Sequence, residues 1–179
     1  MPRNQIFGYR AQTRSKMILY TLAIGLLLLV CASFQVSFLS RFRFFGATPD
    51  LMLCVVLCVA YFSGRFSGAI TGIAAGFLIE AIGSQGISFL PMFYMLCGYI
   101  VGYYTRTVTV KNYSVYLFYL GFGLCLRAAM TVTYACVTYA YIRLPEILWY
   151  AVLPEVGGTA LIGCLLYFPM KLFCRRLER

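Results

Sequence analysis

TPDLMLCVVLCVAYFSGRFSGAITGIAAGFLIEAI, residues 48–82, is two apolar runs joined at Gly64-Arg65. Thr48-Pro49-Asp50 reads as a helix start: an N-cap, a first-turn proline and an acidic second position facing the positive end of the helix dipole. The spacing predicts one helix over residues 48–63 and a second over 66–82, closed into a hairpin by Gly64. In the second run Gly64, Gly68, Gly72 and Gly76 recur every four residues, thickened by Ala69 and Ala75. Small residues at that spacing form one strip on which another helix backbone can come close. Gly98 and Gly102 repeat the spacing farther on, which predicts dense packing among helices two to four, with part of the strip open to a partner helix.

Outward from the hairpin, the chain continues in the same style. Residues 17–39 form an unbroken apolar run, and at about 1.5 Å per residue they cross a hydrocarbon core of roughly 30 Å. Further spans are predicted at 87–104, with Pro91 near its start, at 113–142, and at 147–173, with Pro154 and Pro169 inside its ends. The expected fold is therefore all-α: one polytopic membrane domain over residues 1–179, with about six transmembrane helices and little outside the bilayer. Four spans result if the short second and third helices are re-entrant. Of the 179 residues, 62% are hydrophobic and 11% charged, against about 45–50% and 25% in soluble domains.

The fifteen basic residues, within a net charge of +10, sit mostly at the ends of apolar runs. Arg3, Arg10, Arg14, Lys16, Arg65, Arg106, Lys111, Lys171, Arg175, Arg176 and Arg179 fall on one face of a six-span topology. Only Arg41, Arg43 and Arg143 fall on the other. That bias places both termini in the cytoplasm. It also explains the charge without a nucleic-acid stripe, and suits anionic lipid surfaces. The basic residues before Met17 make the first span a signal anchor, and no cleavage is expected because Val30 stands where a lipoprotein site needs a small residue.

Catalysis, cofactors and metals find no foothold. The chain has no histidine, no GxSxG elbow and no phosphate loop, and its eight cysteines include no CxxC pair. Cys54 and Cys58 lie one helical turn apart and read as small apolar filler.

Charges inside the spans are the sharper signal, since one at mid-bilayer costs at least about 2.5–3.5 kcal/mol unless paired or hydrated. Glu80 and Arg127 each lie about 14 residues, roughly 21 Å, above the start of their helices, so they are expected at one depth. Glu155 near the start of the last span is a second expected partner for Arg127. An ion pair fixing helix register is the plain reading, and ligand or partner sensing the sharper one. For Asp50, the helix dipole alone is sufficient reason.

Gln35-Val36-Ser37, Pro49-Asp50-Leu51-Met52-Leu53, Gly64 with Gly68, and Gly72-Ile73-Ala74-Ala75-Gly76-Phe77-Leu78-Ile79-Glu80 together resemble the bacterial rod shape-determining MreD family. Gly98-Tyr99-Ile100-Val101-Gly102 and Leu166-Tyr167-Phe168-Pro169 also look like that family, whereas residues 111–155 contribute little. Glu80 stands where the family usually has aspartate. The resemblance implies a non-enzymatic scaffold of the cell-elongation machinery in the bacterial cell membrane. It would bind MreC and, through the complex, MreB and the peptidoglycan glycosyltransferase and transpeptidase pair. The architecture is also similar to the substrate-binding subunits of vitamin-type energy-coupling transporters, the alternative expectation. A transporter subunit needs a solvated cavity with converging polar groups, and a scaffold a packed interior or a groove for a helix.

Overall fold

A computed structural model of the chain describes residues 21–39, 48–83, 89–108, 112–138 and 152–178, and the described residues contain helices and no strand. In chain order they are α1 (Thr21–Ser37), α2 (Leu51–Ser63), α3 (Arg65–Gly83), α4 (Leu90–Val108), α5 (Tyr113–Thr138) and α6 (Leu153–Glu178). The end of α1 widens into a π-helical turn, Gln35–Leu39. The N-terminal basic cluster, Arg41, Arg43, Lys111, Arg143, Arg179, the turn at 84–88 and the expected helical stretches 139–142 and 147–151 lie outside the described residues.

Three helices contain stretches long and apolar enough to cross a membrane: Arg65–Ile82, Tyr113–Thr133 and Leu153–Leu172. α1 and α2 are apolar but shorter as described. The 13 residues of α2 span about 20 Å. α4 has the length, but its tyrosines, glycines and Arg106 make it less apolar than the three.

α2 is the axis of the bundle. Leu51 to Tyr61 are all buried, as expected of a helix that is apolar on every side. α3, α4, α5 and α6 all pack on it. α1 turns Ile24, Leu28 and Ala32 to the same core, and Gln35 Oε1 accepts the Met52 N–H at 3.0 Å. The outer faces carry large apolar side chains, among them Phe66, Ile70 and Phe77 on α3 and Leu161, Leu165 and Phe168 on α6. Apolar residues all around the outside match a lipid-facing surface better than an aqueous one.

Several boundaries differ from the sequence reading: α4 runs on to Val108, past the expected end at residue 104, and two others are more telling. α2 begins at Leu51 with Asp50, not Thr48, as its N-cap: Asp50 Oδ1 accepts the Leu53 N–H at 3.1 Å. A carboxylate able to reach the third amide beyond it ends the contest in its own favour, and leaves Thr48 and Pro49 outside the helix. α6 runs on to Glu178, past the expected stop, carrying Pro169 inside it.

The α2–α3 link is one residue. Gly64 has φ 92°, a left-handed conformation that side chains resist, and its N–H donates to Ala60 O at 3.0 Å while its carbonyl accepts from Gly68 at 2.9 Å. Beyond it the glycine strip faces α4. A Cβ on Gly72 would lie 2.3 Å from Tyr94 O, one on Gly76 2.3 Å from Pro91 Cα, and one on Gly98 2.2 Å from Gly68 O. Gly68 and Gly102 are equally confined, against Ala60 and Gly98 and against Gly64 and Arg65. The strip is thus spent inside the chain, on the α3–α4 seam and its contact with α2.

Candidate functional site: a buried charge cluster

α2, α4 and α6 all begin at the same end of the bundle, where α5 also brings Arg127. Asp50, the cap of α2, is 1% exposed. Its Oδ2 accepts the Tyr94 hydroxyl at 2.6 Å and lies 3.4 Å from Arg127 Nε. Arg127 Nε donates to Glu155 Oε1 at 3.0 Å. Thr131, one turn along α5, donates its hydroxyl at 3.2 Å to Glu155 Oε2 or at 3.1 Å to Arg127 O. Thr159, one turn along α6, donates to Glu155 O at 2.6 Å and accepts the Asp50 N–H at 2.9 Å. The Arg127 guanidinium also lies over the Phe93 ring, 5.9 Å from its centroid, where a cation is favoured by the ring's negative face.

Two carboxylates around one guanidinium leave one negative charge in excess. Both carboxylates sit at helix starts: Asp50 caps α2 and Glu155 occupies the first turn of α6. Each helix N-terminus is equivalent to about half a positive charge, so two of them offset the excess. The cluster is therefore close to neutral without a bound ion, and among the described residues no buried side-chain nitrogen or oxygen lacks a hydrogen-bond partner. Its chemistry is that of a clasp, tying α2, α4, α5 and α6 by charge-assisted hydrogen bonds.

The structure unites Asp50, Arg127 and Glu155 and does not bring Glu80 to them. Glu80 and Arg127 were expected at one depth, but α3 packs on α2 and α4 while α5 packs on α2 and α6. The two therefore lie on different seams of the bundle, and Glu80, two turns beyond the Gly72 that abuts Tyr94, is also farther along toward the end of α3 than the cluster. Pro49 abuts α6, where a Cβ on Gly158 would meet its ring at 3.1 Å.

Tyr94, Thr131 and Thr159 were not singled out from the sequence. Two of them carried a signal: Thr131 and Thr159 each follow a charged residue, Arg127 and Glu155, by four positions, and so share its helix face. Nothing in the sequence marks Tyr94 beyond its place on the glycine-bearing helix.

The cysteines are more than filler at two positions. The Cys54 thiol donates to Thr159 O at 3.3 Å, and the Cys58 thiol to the Tyr116 hydroxyl at 3.1 Å, which itself donates to Gly163 O at 3.1 Å. Among the described residues no group of three or more histidine, cysteine, aspartate or glutamate side chains is placed to hold a metal ion.

The opposite end of the bundle is aromatic and basic. Tyr113 and Tyr116 pack on Tyr167, each with ring centroids 4.9 Å apart, and Lys171 Nζ lies 5.5 Å from the Tyr167 centroid. Arg65 lies at this end as well, beside Gly102. Comparison of the chain with protein-family models, curated proteins and solved structures returns no match.

Proposed function

We propose that this chain is a multi-pass protein of the bacterial cell membrane, with six spans and cytoplasmic termini. It acts as a non-enzymatic scaffold of the cell-elongation complex, as its resemblance to the MreD family implies. In this reading it binds MreC directly, and MreB and the peptidoglycan glycosyltransferase and transpeptidase pair through the complex. The observation that carries the scaffold reading over a transporter subunit is the mutual satisfaction of the interior polar groups. Asp50, Tyr94, Arg127, Glu155 and Thr159 converge and bond to one another, as the side chains of a packed interior do. The orientation is supported by Arg65 and Lys171, which share the end of the bundle opposite the charge cluster, as the basic bias expects.

The partner set tests this directly. Purification in a mild detergent from the source cells is expected to recover MreC and cell-wall synthases. Recovery of a coupling ATPase module in their place defeats the scaffold and selects the transporter reading.

A further inference from the structure

At the end of the bundle opposite the charge cluster, Lys171 is a cation without a counter-charge. Its Nζ lies 5.5 Å from the centroid of the Tyr167 ring, and Tyr167 is buried and backed by Tyr113 and Tyr116, each at 4.9 Å. Among the described residues Lys171 meets no carboxylate and no hydrogen-bond acceptor. The aromatic face holds the ammonium without neutralising it, which leaves its N–H donors for an anion.

The chain itself does not supply that anion. It has five acidic residues. Asp50 and Glu155 are held by Arg127, and Glu80 lies 15 residues along α3 from Arg65, toward the far end. Glu146 belongs to the link that enters α6 from the far end, and Glu178 is seven residues, about 10 Å, farther along α6 than Lys171. Residues 1–20 and 109–112 contain no acidic residue, so the deficit holds wherever they lie. The depth is that of the membrane boundary: Arg65 opens the α3 apolar stretch, Tyr113 opens that of α5, and that of α6 ends at Leu172, one residue beyond Lys171. Tyr61, four residues before Arg65, donates its hydroxyl to Asn112 O, and Tyr113 packs on Tyr167, so the three boundaries fall in one layer. At that layer phosphate is the anion fixed in place. Below it Phe168, Leu165 and Leu161 follow one another about a turn apart on the outer face of α6, exposed by 66, 80 and 74%, a track for an acyl chain.

We propose that Lys171 binds the phosphate of an anionic phospholipid at the α5–α6 corner, with an acyl chain along Phe168, Leu165 and Leu161. The Tyr167 ring positions the ammonium, and Tyr113, exposed at the start of α5, flanks the head group. A zwitterionic lipid is the poorer ligand, because it brings an ammonium of its own to an end of the bundle already in positive excess. The proposal goes beyond the scaffold function and rests only on the membrane placement of the bundle.

The test uses the full chain in nanodiscs of phosphatidylcholine with and without phosphatidylglycerol of the same acyl chains. Wild-type protein is expected to melt higher with phosphatidylglycerol, and Lys171→Gln to forfeit about 2–4 °C of that rise, the share of one lysine at a charged surface in a chain of this size. Lys171→Arg, which keeps the charge and can stack on the ring, is expected to retain the rise. Arg14→Gln removes an equal charge before the first span and is expected to retain most of it. Equal melting of the wild type in the two lipids overturns the proposal without any variant. A rise unchanged in Lys171→Gln overturns it too, as does one lost equally in Arg14→Gln, the mark of diffuse attraction to a basic surface. Inorganic phosphate that matches phosphatidylglycerol in pure phosphatidylcholine discs puts a soluble anion in place of the lipid and overturns it as well. Failure of the scaffold reading changes none of these melts.

Discussion

The α3–α4 seam and the charge cluster hold the same bundle by opposite means. In the seam, backbone meets backbone with no side chain between, and any Cβ at Gly72, Gly76 or Gly98 would lie within 2.5 Å of a main-chain atom. In the cluster, long side chains from four helices do the joining, at 2.6 to 3.4 Å, with a charge balance that depends on every member. The seam tolerates no added atom, and the cluster tolerates no removed charge. The difference matters for association in lipid, where burial of apolar surface gives helices little reason to prefer each other over acyl chains. One region supplies close packing and the other directional bonds, and α4 belongs to both: Tyr94 offers its carbonyl to the space beside Gly72 and its hydroxyl to Asp50.

The largest expected effect is steric. Gly72→Leu must push α4 away from α3 along with Tyr94, and so breaks the seam and strains the cluster together. Its cost is expected to exceed about 3 kcal/mol, the upper end of ordinary overpacking, because backbone on both sides cannot yield. Thermal melting in detergent should show loss of the cooperative transition, and a variant that melts like wild type would show the two helices free to part.

Next comes Arg127→Met, which leaves Asp50 and Glu155 as buried carboxylates without their shared cation. Breaking a buried ion pair from one side costs about 3–5 kcal/mol. Adding Glu155→Gln to it removes one of the stranded charges, so the double variant is expected to melt above the single. If the double melts lower, the cluster is bound by something other than charge balance.

Much of this was legible in the sequence. The hairpin at Gly64, the glycine strip and the three intramembrane charged positions are all local patterns, set by period and composition, and the structure uses the strip as a close-packing surface. What could not be read was lateral order. Glu80 and Arg127 each lie about 14 residues along their helices, a one-dimensional property, but adjacency depends on how the helices are offset and on which one occupies the centre. The second helix was read only as a short arm of the hairpin, and its apolarity on all sides does not mark it as the wall between α3 and α5. Asp50 was assigned to the helix dipole, and it does cap α2; its bonds to Tyr94 and Thr159 come from helices 44 and 109 residues away. Such contacts leave no trace in local spacing.

A subtler break is Thr159→Val. It keeps shape, removes the acceptor of the Asp50 N–H and frees the Glu155 carbonyl of an extra donor. The orphaned buried amide predicts a loss of about 1–3 kcal/mol, read as a lower melting temperature with the seam intact.

The smallest effect should carry the opposite sign, and it separates glycine as a packing device from glycine as a residue type. Gly121 is exposed on α5, and a Cβ there would meet nothing within 4 Å. In mid-helix, glycine gives up about 0.5–1 kcal/mol relative to alanine through backbone entropy alone. With no clash to oppose that gain, Gly121→Ala is expected to raise the melting temperature slightly, while Gly98→Ala, whose added carbon would lie 2.2 Å from Gly68 O, lowers it. The pair of melts isolates the seam, since both substitutions add one methyl group to one apolar helix. If Gly121→Ala instead weakened the protein, the outer face of α5 would have to be covered by something that the folded chain alone does not provide, because free space cannot penalise a methyl group.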